Sequence, residues 1–170
     1  IYVATVYLPP ISGGYNLVYQ RCCRNATIAN LVTPDEMGAT YMAHIPDQGV
    51  VSCNSSPSFD AFPPIVICAN EPINFDHVAT DPDGDSLVYS LCTPLNGGSQ
   101  LDPLPTPAPP PPYGNIFFQA PLSASNPMPA TPQISIDPQT GWLTGTPTAL
   151  GQYVVGVLSL IHISEPTRLD

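Results

Sequence analysis

The stretch Asp81-Pro-Asp-Gly-Asp-Ser-Leu-Val-Tyr-Ser-Leu91 runs an acidic turn directly into an alternating segment. Gly84 permits the tight bend, and from Ser86 the side chains alternate with the period of a half-buried strand. Further along stands Ile136-Asp-Pro-Gln-Thr-Gly-Trp-Leu-Thr-Gly-Thr-Pro147, a Gly-punctuated hairpin signal. It is followed by Gly151-Gln-Tyr-Val-Val-Gly-Val157. Together these segments predict an all-β chain built from antiparallel strands, with carboxylates gathered at one end.

The composition agrees. The chain has 170 residues, among them 24 prolines and 12 glycines. No window carries an apolar 3.6-residue period over three turns, so helices are not expected. There is no lysine. Arg21, Arg24 and Arg168 stand against thirteen acids, for a net charge of −10. Such a surface repels phosphate backbones and anionic lipid, which argues against nucleic-acid and membrane partners. No apolar run reaches spanning length. Cys22, Cys23, Cys53, Cys68 and Cys92 show no zinc spacing. Disulfides in an oxidising, extracellular compartment fit them better, with buried free thiols as the simpler alternative. Cys22 and Cys23, read as strand neighbours, point to opposite faces, so Cys53 is expected to bridge to one of them. Cys68 and Cys92 are expected to bridge within the second domain.

Two units are expected. Residues 1–62 read as a partial upstream β domain and linker, with strands at Tyr2–Leu8, Asn16–Arg21 and Ala39–Ile45. The chain opens at Ile1 directly on the first of these, as in a piece cut from a longer chain. Thr33-Pro34 opens a helical turn, and residues 54–64 are linker by composition. Residues 63–157 read as a sandwich of seven strands: Ile65–Cys68, Ile73–His77, Ser86–Cys92, Asn115–Gln119, Gln133–Ile136, Trp142–Thr144 and Gln152–Val157. The run Leu101-Asp-Pro-Leu-Pro-Thr-Pro-Ala-Pro-Pro-Pro-Pro-Tyr113 lacks ladder donors and is expected as an extended loop. Leu158-Ser-Leu-Ile-His-Ile-Ser-Glu-Pro-Thr-Arg168 resembles a translated sequencing adapter, so residues 158–170 are set apart from functional reading.

Asp81, Asp83 and Asp85 repel one another unless something neutralises them. Hard oxygen ligands at this spacing suit calcium, with Asp76, Asn74 and Asp137 as further ligands from neighbouring loops. The alternative is that the aspartates only accept backbone amides in a turn. There is no closing Glu and no flanking helix, so the stretch is not an EF-hand. His44 and His77 read as isolated strand histidines. Either Trp142 or Leu143 must face the core, and the indole is the expected plug, with sugar stacking as the alternative. No nucleophile–base arrangement has supporting turn chemistry, and the acids crowd one turn rather than two walls of a cleft. A catalytic role is therefore not expected.

The segments Phe75–Leu91 and Ile136–Val157, in that order, resemble the cadherin-like, dystroglycan-type putative Ig modules of bacterial surface proteins. Tyr19-Gln-Arg-Cys-Cys-Arg-Asn25 and Asn54-Ser-Ser-Pro-Ser-Phe59 look like the region before such a module in gliding-motility-associated, type IX-secreted proteins. The resemblance implies an Ig-like or cadherin-like antiparallel β-sandwich at the cell surface, often calcium-stabilised. Its role would be adhesion or spacing, and its partners neighbouring modules of the same chain and surface glycans or proteins. A carbohydrate-binding accessory module of a secreted enzyme is the alternative. The long proline-rich insert departs from the family pattern.

Overall fold

Alternation of apolar and polar side chains, broken by proline and glycine, produces nine short strands in the computed structural model, which describes residues 3, 5–47, 49 and 55–162. In chain order they are β1 (Tyr15–Arg21), β2 (Ala39–Ile45), β3 (Ser58–Phe59), β4 (Ile73–Asp76), β5 (Ala79–Thr80), β6 (Ser86–Cys92), β7 (Ser135–Ile136), β8 (Trp142–Gly145) and β9 (Gly156–His162). A single 3-10 turn, Pro34–Glu36, follows Thr33. The fold is all-β.

Every sheet is antiparallel. β1 pairs with β2, β3 with β5, β6 with β9, and β4-β8-β7 form a three-stranded sheet. β7 and β8 are the predicted hairpin, closed by Asp137 and Gly141. Gly141 lies at φ +74°, and its Cα faces Tyr89, so a side chain there would be strained. β9 takes in residues 158–162 of the adapter-like stretch, whose backbone completes the ladder with β6.

Two apolar clusters make the core. Met128, Ile134 and Leu143 are buried together, with Ile73, Phe75, Leu91 and Tyr153 packed around them. Leu31, Met37 and Ile116 form the other, flanked by Ile28, Phe118 and Val154. The second cluster crosses the expected boundary at residue 62. So do many hydrogen bonds. Cys22 N–H donates to Pro103 O (2.9 Å), Val32 N–H to Phe117 O (3.0 Å), and Ala29 N–H to Gln152 O (2.8 Å). Gln119 N–H donates to Asn30 O (2.9 Å), and Gly38 N–H to the Asn96 carboxamide (2.7 Å). Asn30, at 0 % exposure, is the centre of this seam. Its Nδ2 donates to Pro127 O (2.7 Å) and Val154 O (2.8 Å), and its Oδ1 accepts from Val154 N–H (2.9 Å). Residues 20–40 are therefore hydrogen-bonded to and packed against residues 94–154.

Several expected strands take another form. Residues 5–8 are not in a strand, and the segment Ile65–Cys68 is exposed and unpaired in any ladder. Residues 115–119 make isolated bridges, Asn115 to Leu95 and Phe118 to Leu31, because each side of the segment meets a different neighbour. Gln152 bridges to Ile28, and the last strand starts only at Gly156. Ser58–Phe59, expected as linker, pairs with Ala79–Thr80, and Thr80 Oγ1 donates to Asp60 Oδ1 (2.9 Å). The proline-rich run is a loop, almost wholly exposed.

Candidate functional site

The acidic turn connects β5 to β6. Asp81 organises it by accepting on Oδ1 the amides of Asp83 (2.9 Å) and Asp85 (3.2 Å), while Gly84 N–H donates to Asp81 O (3.2 Å). Gly84 at φ +80° makes this bend available. Asp83 Oδ2 reaches back to accept the amide of Ser55. The turn thus ties the end of the 55–57 segment to the start of β6.

The other two carboxylates of the expected set have their own partners. Asp76 Oδ1 accepts from Val78 N–H (3.0 Å). Asp137 Oδ1 accepts from Gln139 N–H (2.9 Å) and Thr140 N–H (2.8 Å), which builds the β7–β8 turn. Asn74 lies within β4, opposite Thr144. Among the described residues, no three His, Cys, Asp or Glu side chains stand close enough to hold a metal ion. Of the expected set, Asp81, Asp83 and Asp85 share one turn, while Asp76 and Asp137 hold turns of their own. One atom of the turn does fit a cation: Asp81 Oδ2 is buried with no hydrogen-bond partner. A buried carboxylate oxygen left without a donor is costly, and a positive ion would relieve it.

Tyr89 links the two turns. Its ring is buried, at 3 % exposure, and its hydroxyl accepts from Ala79 N–H (2.9 Å) just before the acidic turn. Its backbone N–H donates to Pro138 O (2.9 Å) in the β7–β8 turn. The alternation of Ser86–Leu91 marks Tyr89 as one of a set facing one way, but nothing local shows that its hydroxyl finds Ala79.

His77 is buried beside Phe75, ring centroids 4.7 Å apart and edge-on, with Phe59 at 6.0 Å. Burial holds its pKa below the ordinary value, against the opposing pull of Asp76. His44 is exposed, with Nδ1 2.9 Å from Asn16 Oδ1. The Asp137 carboxylate, bonded to the amides of Thr140 and Gln139 and to the Thr140 hydroxyl, titrates below the usual range. Both groups take up protons more readily when unfolded, so both make the fold less stable in acid. His77 contributes fully above the ordinary histidine value of 6.5 and loses that contribution as pH falls below it. Asp137 adds its loss below the ordinary 3.8. Urea midpoints measured between about pH 7 and pH 5 should therefore fall more for the native chain than for His77→Gln. Identical slopes for the two proteins would remove His77 from the account.

Trp142 and Leu143 divide their roles contrary to the expected plug. Leu143 is in the core at 6 % exposure, while Trp142 is 39 % exposed on the other face of β8. Leu143 pairs across to Phe75 and Ile136, which point into the same cluster, and this register forces the indole outward. Trp142 stands opposite exposed Asp76. On the inner side, an apolar cavity of about 770 Å³ is lined by Phe59, Phe62, Ile65, Phe75, His77 and Tyr153, among others.

The cysteines also depart from expectation. Cys22 is joined to Cys23. β1 ends at Arg21, so strand alternation does not apply to the pair, and a bond between neighbours is possible. Cys68 and Cys92 are free rather than bridged, since Cys68 lies in an exposed segment outside the sheets and Cys92 faces Gly156 at the end of β6. Burial raises the Cys92 pKa. Cys53 lies outside the described residues.

No protein-family model, curated protein or solved structure matches the chain.

Proposed function

We propose that the protein is a non-catalytic structural and adhesion module of a bacterial surface or secreted protein, of the cadherin-like, Ig-like β-sandwich kind. The observation that carries this reading is the acidic turn. Asp81, Asp83 and Asp137 each commit one carboxylate oxygen to backbone amides, which suits carboxylates that hold loops in shape. The net charge of −10 and the lack of lysine are in keeping with an extracellular setting. Its partners would be neighbouring modules of the same chain and surface glycans or proteins. A type IX-secreted, gliding-motility-associated parent is the context that the sequence resemblance suggests.

Calcium enters this proposal through Asp81. The buried, unpartnered Oδ2 is the atom it would neutralise, with Asp83 and Asp85 beside it in the turn. Asp76 and Asp137 have turns of their own to hold. Melting temperatures in calcium and in chelator, at constant ionic strength, test this. At a calcium concentration about a hundred times the dissociation constant, binding raises the melting temperature by about 5 °C or more. Asp81→Asn should abolish the increase. A shift under about 1 °C would remove calcium and leave a turn stabilised by amides alone.

A second reading is favoured by one observation, the outward face of Trp142. An exposed indole opposite a carboxylate, Asp76, offers an apolar plate and a hydrogen-bond acceptor to a sugar ring. In this reading the chain is a carbohydrate-binding accessory module of a secreted enzyme, with exposed Phe117 and half-buried Tyr113 as further candidate aromatics. The chain has one tryptophan, so its fluorescence reports directly on that position. Quenching or a blue shift on titration with neutral oligosaccharides, lost in Trp142→Ala, supports binding. An unchanged spectrum across a glycan panel speaks for the first reading.

A further inference from the structure

The strap that follows β3 and the larger core cluster enclose the apolar cavity of about 770 Å³ between them. Phe59, Phe62 and Ile65 line it from the strap, and Phe75, Leu143 and Tyr153 from the cluster. The strap is held at its start, where Phe59 pairs with Ala79 and Asp60 N–H donates to Val78 O (3.0 Å). Pro63 and Pro64 follow, and their rings fix φ, so the strap resists folding down onto the cluster. The space is therefore formed in advance of an occupant, which lowers the cost of binding one. Phe62 and Ile65 line the cavity and yet are almost fully exposed. Their apolar surface leaves water only when something fills the space.

The lining sets the chemistry of that occupant. It holds no Asp, Glu, Lys or Arg, in a chain of net charge −10. An ion entering would lose its water and find no counter-charge in the wall. One polar side chain of the wall lacks a partner. His77 is 8 % exposed, and its ring nitrogens have no hydrogen-bond partner among the described residues. Phe75 and Phe59 stand edge-on to the ring and supply none. Burial holds its pKa below the ordinary value, so near neutral pH the imidazole is uncharged and offers one N–H donor and one acceptor. Leaving it unpaired is costly, and a hydroxyl or carbonyl on an occupant would relieve that cost.

We propose that this cavity binds an uncharged, largely hydrocarbon small molecule carrying one hydroxyl or carbonyl group, whose polar atom hydrogen-bonds to His77. The volume lies in the range that holds small organic ligands. Leu143 faces the cavity and Trp142 the other side of β8, so the site is separate from the outward indole. It is also separate from the acidic turn, none of whose carboxylates lines it.

The test uses the native chain and phenylnaphthylamine, an uncharged dye that brightens on leaving water. Saturable brightening at one dye per chain is expected. Anilinonaphthalene sulfonate, the same skeleton with a charge, should bind at least about tenfold more weakly. Phe62→Ala and Ile65→Ala trim exposed side chains, which leaves the fold intact, and each should weaken dye binding at least about threefold. Leu101→Ala, at an equally exposed apolar position outside the cavity, should leave binding unchanged. His77→Phe keeps an aromatic ring and removes its polar atoms. The preference for naphthol over naphthalene as displacer of the dye should fall at least about threefold in that variant. If it does not fold, the ring nitrogen chemical shifts of His77 in the native chain decide instead, and they should move more with naphthol than with naphthalene. No saturable binding, equal affinity for the sulfonate, or equal loss in Leu101→Ala would each overturn the site. An unchanged naphthol preference, or equal nitrogen shifts, would overturn the contact with His77.

Discussion

Asn30→Ala lowers the melting temperature by about 10 °C, the largest effect expected of any single side chain here. The carboxamide is wholly buried and makes three hydrogen bonds, two to carbonyls and one to an amide. Alanine leaves Pro127 O, Val154 O and Val154 N–H without those partners. Each orphaned buried group costs about 1–3 kcal/mol, and the three share one site, so the sum is not simply additive. A total of about 4 kcal/mol is a large share of the stability of a typical domain. Asn30→Asp separates hydrogen bonding from volume. It keeps an acceptor for Val154 N–H but turns an oxygen toward two carbonyls, so it should be at least as damaging as alanine. Equilibrium urea unfolding checks both. A loss under about 1 kcal/mol for both variants would mean that the seam is not closed through Asn30.

Gly38→Ala is the second large effect. A Cβ at Gly38 would overlap the carbonyl oxygen of Gly97 and come 2.7 Å from Arg21 O. Both are backbone atoms, so no side chain can turn aside to make room. The Gly38 amide is meanwhile held by the Asn96 carboxamide (2.7 Å), and Thr40 Oγ1 donates to Asn96 O (2.5 Å). The substitution must push the 96–97 segment off the start of β2. A cost of about 3 kcal/mol or more follows, at the upper end of overpacking. Gly84→Ala is the contrast. A Cβ there meets nothing within 4 Å, so only the positive φ is strained, and the loss should be about 1 kcal/mol. Equal losses at the two glycines would contradict the close approach at Gly38.

What the sequence revealed follows from what is local. β1, β2, β6 and β8 alternate over several residues between Pro and Gly, and the Asp137–Gly141 turn carries its own chemistry, so all were legible. β3 and β5 are two residues each and exist only because they meet. Asn30 sits between Ala29 and Leu31 in a stretch with no period, and its partners are distant in sequence, so nothing marked it. The same long-range bonds cross the expected boundary at residue 62. For the candidate site, the amide-accepting role of Asp81 and Asp137 was visible as the simpler alternative, because Asx turns are short-range. Asp76 and Asp137 accept amides two or three residues away, local bonds of the same kind. The outward Trp142 was ambiguous in sequence because adjacent strand residues face opposite ways, and only the β4-β8-β7 register decides between them.

The most direct test is to compare the whole chain with residues 63–170 alone, which keep all of β9, by thermal unfolding and amide exchange. If the front segment is part of one cooperative β unit, the shorter piece lacks Asn30, Leu31 and Met37 and shows no cooperative transition. The whole chain then melts in a single step, with the Gln119 and Val154 amides, both bonded to Asn30, exchanging at the global rate. A cooperative melt of the shorter piece at the temperature of the whole chain would contradict it.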